Sequence, residues 1–313
     1  MDLINQIGIS YEAGYLVQGN QLERCKTSTK LQSYNTELQM RSDGKDFDIS
    51  NILKSYRGNI IFHVPAINPN LSNLKVTEQK IRKLITNNIN MITIDASNLS
   101  LDLFEWSTID EQKKYFLNIV TGIATLASNK IVVAIENTND NLDGKTFGYS
   151  LNQVSDTIIY SRRLLVKDFG FTEEEASYYI GLCLNVDAAI KNEGFDSLDK
   201  WFKITNNNIK CIKFSKTEND YDNLIDKILE IAINNNYENP ILFETKSELE
   251  MISSEYKYFE DKVKNKLKEK GMKVGTYKIK PIVNTGFSNI IVISIIVITI
   301  VIAIMMVALK LKQ

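Results

Sequence analysis

Two short apolar runs in this sequence end in a glutamate: VVAIE at Glu136 and ILFE at Glu244. A carboxylate closing a buried strand costs free energy unless it is paired, hydrogen-bonded or metal-bound. Both glutamates are therefore candidates for chemistry. Other polar residues end comparable runs: Ser10 with Glu12, His63, Asp95, Asn137 beside Glu136, Asn185 with Asp187, and Lys213 with Ser215. Turn formation alone puts some polar side chains at such places. Carboxylates with an imidazole can hold a divalent cation or move protons. His63 is the single histidine among 313 residues, and the simplest role for one strand-end histidine is a hydrogen bond. Cys25, Cys183 and Cys211 form an odd set without metal-ligand spacing. Buried thiols in a reducing compartment are expected.

The elements that must position these residues alternate. Short β-branched runs predict strands at Gln6–Ser10, Asn59–Val64, Asn90–Asp95, Lys130–Glu136, Ile180–Asn185, Ile209–Phe214 and Pro240–Glu244, with an eighth inside Leu31–Met40. The first seven are largely apolar, as a strand covered on both faces must be. Amphipathic stretches predict helices at Val76–Asn88, Glu111–Ser128, Leu151–Asp168, Ser197–Asn206, Tyr221–Asn235 and Ser247–Glu269. Asn152 or Ser150 can cap the third and Ser197 the fourth. Eight βα units predict a closed (β/α)8 TIM barrel, an α/β fold whose chemistry sits at the C-terminal strand ends. An open doubly wound sheet is the alternative. Trp106 and Trp201 read as packing anchors, and Cys183 and Cys211 as core thiols on neighbouring strands.

The C-terminus reads differently. From Ile290 to Leu309 the chain is IIVISIIVITIVIAIMMVAL, without a charge. Such a helix would be about 30 Å long, the thickness of a bilayer's hydrocarbon core. The predicted organisation is a barrel over 1–270, a basic juxtamembrane linker over 271–289, a transmembrane helix over 290–309 and a short tail over 310–313. Lys273, Lys278 and Lys280 precede the span and Lys310 and Lys312 follow it; with the further lysines of 262–270, the bias places the N-terminal domain in the cytosol. Asn70 and Asn98 begin N-x-S sequons that a cytosolic domain leaves unmodified. The expected localisation is a single-pass, tail-anchored membrane protein. An Ile-, Asn- and Lys-rich composition adds a virion membrane as one setting. With 37 Lys and Arg against 38 Asp and Glu the net charge is −1, and −3 without the two tail lysines. The domain has no global attraction for nucleic acid, so the expected partners are the lipid bilayer and other proteins.

Several segments resemble the endonuclease IV family of apurinic/apyrimidinic endonucleases, within the wider xylose-isomerase-like barrels. IGISYEAGYL is similar to its opening strand and loop, and FHVPAINPNLSN to its third-strand segment. AIENTNDNLDGKTFGYSLNQV, GLCLNVDAAIKNEGFDS and NPILFETKSELEMI resemble later segments in the same order. The resemblance implies a trinuclear zinc site whose metals polarise a DNA phosphate and generate hydroxide. By that resemblance His63, Glu136 and Glu244 occupy ligand positions. Ser10 stands where a histidine belongs, Ile94 or Asp95 where another does, and Asn185 replaces an aspartate. Ala188 replaces a further histidine, and Lys213 or Phe214 falls where the seventh strand's histidine belongs. The family's ligand-bearing loop after that strand has no counterpart.

A barrel without most of its ligands reads as a catalytically inactive, membrane-anchored structural or interaction protein without a cofactor. Under that reading Glu136 and Glu244 are held by hydrogen bonds or by a cation such as Lys213. The first alternative is a sugar isomerase or epimerase using one Mg or Mn ion on Glu136, Asn185, Glu244 and His63. The second is an active endonuclease with displaced ligands.

Overall fold

The computed structural model of the chain describes residues 3–12, 35–39, 59–64, 66, 91–97, 99–138, 146–205, 208–215, 221–245 and 249–272. Within them the strands are β1 Ile7–Glu12, β2 Asn35–Gln39, β3 Ile60–Val64, β4 Met91–Asp95, β5 Val132–Glu136, β6 Ile180–Asn185, β7 Ile209–Ser215 and β8 Ile241–Glu244. All neighbours pair in parallel, and β1 also pairs with β8, so the sheet closes in sequence order. Closure excludes the open doubly wound alternative.

Two apolar clusters divide the core. The larger joins outward-facing strand residues such as Ile9, Ile135 and Phe214 to helix residues such as Ile123, Ile158 and Leu229. The smaller is Ile61, Ala134, Cys183, Cys211 and Leu242, with Met91 packed against it. All six lie on strands. Two residues further along each strand, and so on the same face, stand His63, Glu136, Asn185, Lys213, Glu244 and Thr93. An apolar layer thus floors a polar layer at the C-terminal strand ends. The period of two that keeps a barrel interior dry also lifts the polar set to its mouth.

Helices α1 Leu101–Trp106, α2 Ile109–Ala127, α3 Leu151–Phe169, α4 Glu173–Tyr179, α5 Val186–Glu193, α6 Ser197–Thr205, α7 Tyr221–Asn234 and α8 Leu249–Glu269 are among the described residues. Thr108 and Thr172 form capping boxes with Glu111 and Glu175, and Ser150 rather than Asn152 caps α3. Gly170, at φ 73°, ends α3 in the left-handed conformation that glycine takes without penalty.

The short helices α1, α4 and α5 depart from the sequence expectation, being too brief for a 3.6-residue stripe to register. Trp106 departs as well. It is 83% exposed because Phe104 takes the inward place on α1, its ring 5.0 Å from that of Phe147. Trp201 is fully buried. The helix expected at Val76–Asn88, the span 290–309 and the flanking Lys273, Lys278, Lys280, Lys310 and Lys312 lie outside the described residues. Among the described residues no helix is long and apolar enough to cross a membrane.

Candidate functional site

The mouth of the barrel is organised around Lys213. Its side chain is 2% exposed, and Nζ lies 3.0 Å from Glu136 Oε2 on β5 and 3.1 Å from Glu37 Oε2 on β2. One ammonium from β7 thereby ties together two strands on other parts of the wall. Glu37 is completely buried. The Ser10 hydroxyl donates to Glu37 Oε2 and the Thr93 hydroxyl to Oε1. Glu136 is equally committed. Asn185 Nδ2 donates to its Oε1 at 2.8 Å, and His63 Nδ1 stands 3.3 Å from the same Oε2 that Lys213 holds. His63 Nδ1 is also 3.2 Å from Thr93 Oγ1. That hydroxyl's proton goes to Glu37, so the ring nitrogen is the donor in this contact.

Towards the opening, His63 is 17% and Asp95 37% exposed, with Nε2 3.9 Å from Oδ2. Gln39 Nε2 donates to Ser10 Oγ and to Glu244 Oε1, each at 2.9 Å. Glu244 joins the network through that amide. Asn185 also caps α5: its Oδ1 accepts from Ala188 N at 3.0 Å, and its own N donates to Asn137 Oδ1 at 2.7 Å. Asp187 Oδ2 accepts from Ser215 N at 2.6 Å and Oγ at 2.9 Å, tying α5 to the end of β7.

The electrostatics follow from this packing. Burial works against the charged form of Lys213, but Glu136, Glu37 and Glu244 outweigh it and raise the ammonium's pKa well above the usual lysine value. Burial likewise opposes the charged form of Glu136, yet Lys213, His63 and Asn185 hold it well below the usual carboxylate range. For His63, burial and Lys213 lower the pKa; Glu136 and Asp95 prevail and raise it to about 9. Asp95 is pushed up, first by desolvation and then by Glu136, with His63 and Lys213 pulling the other way. Cys183 and Cys211 face each other across β6 and β7 as free thiols, both raised by burial and so protonated.

The ligand chemistry can be tested against this geometry. Glu37, His63 and Glu136 each offer an atom within 4.8 Å of the others, as a small metal site requires. Lys213 Nζ already lies against both carboxylates of that set. A unit charge and a divalent ion about 4 Å apart repel by roughly 8 kcal/mol at an effective dielectric near 20. Asn185 turns its N–H, not its carbonyl oxygen, towards Glu136, and that oxygen is spent on the α5 cap. Ala188 contributes only its backbone N–H. The residues present do not fit a metal centre while Lys213 stays in place.

Of the residues marked in the sequence, Ser10, His63, Glu136, Asn185, Lys213 and Glu244 converge, with Asp95 and Asn137 at their edge. The Glu12 side chain lies outside the described set. Glu37, Gln39 and Thr93 were missed. Glu37 and Gln39 flank Leu38 in N-T-E-L-Q, and that alternation is the signal of a strand with one polar face. It is weak because the strand is short and mostly polar.

No protein-family model matches the chain, and no curated protein matches it. Solved structures do. An L-ribulose 3-epimerase is 11% identical, covering 86% of this chain and 99% of its own at a TM-score of 0.58. An AP endonuclease of family 2 from Brucella melitensis is 14% identical, covering 81% and 98% at 0.55. A D-tagatose 3-epimerase-like protein is 18% identical, covering 84% and 99% at 0.54. At such identities the likeness carries the fold alone, and the fold of this chain is a TIM barrel.

Proposed function

We propose that this barrel is a non-catalytic relative of metal-dependent xylose-isomerase-like enzymes, nearest in motif order to the endonuclease IV family. It serves as an interaction module held at a membrane by residues 290–309. One observation carries the reading: the Lys213 ammonium sits between Glu37 and Glu136, where a catalytic cation would have to bind. The other would-be catalytic groups are committed to one another. His63 is hydrogen-bonded to Glu136, Asn185 caps a helix, and Ser10 serves Glu37. Among the described residues the polar groups at the mouth are engaged with one another, Asp95 beside His63 included. The cytosolic orientation, the absence of nucleic acid among the partners and a protein ligand for the module belong to the same proposal.

A second reading has its own support. Glu37, His63 and Glu136 have a spacing that would suit a mononuclear Mg or Mn site, and sugar epimerases are among the proteins similar in fold. It requires Lys213 to leave the centre. Assays of the full chain in detergent distinguish the two. Incision of an abasic duplex and C3 epimerisation of free ketoses, each with Mg2+, Mn2+ or Zn2+, are expected to match the rates of a Glu136→Gln control. Metal-dependent turnover lost in that control would establish an enzyme.

A further inference from the structure

We infer that Lys213 is a tethered replacement for a divalent cation, and that Glu37, Glu136 and His63 become a divalent-metal site once its side chain is removed. The inference rests on the proposal above that the barrel runs no metal chemistry, and goes on to say what took the metal's place.

The geometry is that of a coordination shell with an ammonium at its centre. Nζ is nearly equidistant from two carboxylate oxygens, at 3.0 and 3.1 Å, supplied by strands that are not neighbours. Lysine's three N–H donors suit several acceptors arranged about a point. The second oxygens are held from outside: Thr93 donates to Glu37 Oε1 and Asn185 to Glu136 Oε1. Those two bonds orient the carboxylates towards the centre whatever occupies it, as outer hydrogen bonds orient ligands in metal sites. His63 Nδ1, 3.3 Å from Glu136 Oε2, brings an imidazole to the same place. The apolar floor of Ala134, Cys183, Cys211 and Leu242 keeps water from below. Two carboxylates and one imidazole suit Mn2+, Co2+ or Zn2+.

Truncation at Lys213 would leave Glu37 without a cation, Glu136 with His63 alone, and a space the length of a lysine side chain. A divalent ion would satisfy both. An apolar side chain of equal length would fill the space and satisfy neither, so Lys213→Ala and Lys213→Met should behave differently towards metal.

The test uses the full chain in detergent, with thermal unfolding in EDTA and in Mn2+ and with Mn2+ stoichiometry read by electron paramagnetic resonance. The wild type should melt at one temperature in both buffers. Lys213→Ala should melt lower in EDTA, bind one Mn2+ and gain about 5–10 °C at saturation. Lys213→Met and Lys213→Ala with Glu136→Gln should not respond. If Lys213→Ala folds in Mn2+ but not in EDTA, the inference is supported. If it folds in neither, Lys213→Ser is read instead. That variant keeps Glu37, Glu136 and His63, offers a small hydroxyl that can donate to one carboxylate, and must show the Mn2+ response. A folded Lys213→Ala chain indifferent to Mn2+, Co2+ and Zn2+ would overturn the inference and leave the proposed function standing. A metal response in the wild type, abolished by Glu136→Gln, would overturn both.

Discussion

At the scale of single residues, Lys213 is a buried ammonium held in place by carboxylates. Its desolvation is compensated by Glu136, Glu37 and Glu244. Removing one partner of a buried pair costs about 3–5 kcal/mol, because the remaining charge is stranded. Lys213→Met should therefore lower unfolding stability by that amount in urea titrations, and adding Glu37→Gln should recover part of it. His63 supplies a second prediction. Its pKa rises from 6.5 to about 9 on folding. The stabilisation it contributes is fully present below pH 6.5 and is lost as pH climbs through 9. Stability should fall across that window by up to about 3 kcal/mol, and His63→Gln should abolish the fall. Glu136, depressed, acts at the other end: its contribution is present above the ordinary carboxylate pKa and lost in acid. Six of the site residues were legible because each ends an apolar run. Glu37 was not, since β2 carries more polar residues than apolar ones. Lys213 was expected from the sequence as a cation beside Glu136, where it lies, but its pairing with Glu37 depends on a reach across the barrel that no local pattern encodes.

At the scale of elements, the strands were the readable part. β-branched runs marked seven strands to within two residues, since a strand covered on both faces has little compositional freedom. α1, α4 and α5 left no periodic trace because each spans two turns or little more. Close approach between β1 and β2 gives a test of the barrel seam. A Cβ on Gly8 would lie 2.1 Å from the Asn35 carbonyl oxygen, and backbone cannot yield there without opening the register Gly8↔Asn35. Gly8→Ala should destabilise by about 2 kcal/mol or more. Thr108→Ala, which removes one capping box from the long helix α2, should cost only about 1 kcal/mol. The contrast, measured by denaturant unfolding, separates a closure constraint from a local one.

At the scale of the whole molecule, the proposal joins a barrel to a membrane tether. Residues 290–309 carry no charge, and as a helix they would be of bilayer length. Deleting 286–313 should release a folded barrel that no longer sediments with membranes after a high-salt wash. Protease outside intact vesicles should digest the domain, as the lysine bias predicts. Protection, or a glycosidase-sensitive shift at Asn70 or Asn98, would reverse the topology. The central claim is that the cation in this barrel is a lysine. It is tested most directly by elemental analysis of the full-length wild-type chain, purified in detergent without chelator and without added metal. The account predicts no stoichiometric manganese, zinc, cobalt or iron. One or more such ions per chain, absent from an identically purified Glu136→Gln variant, would contradict it.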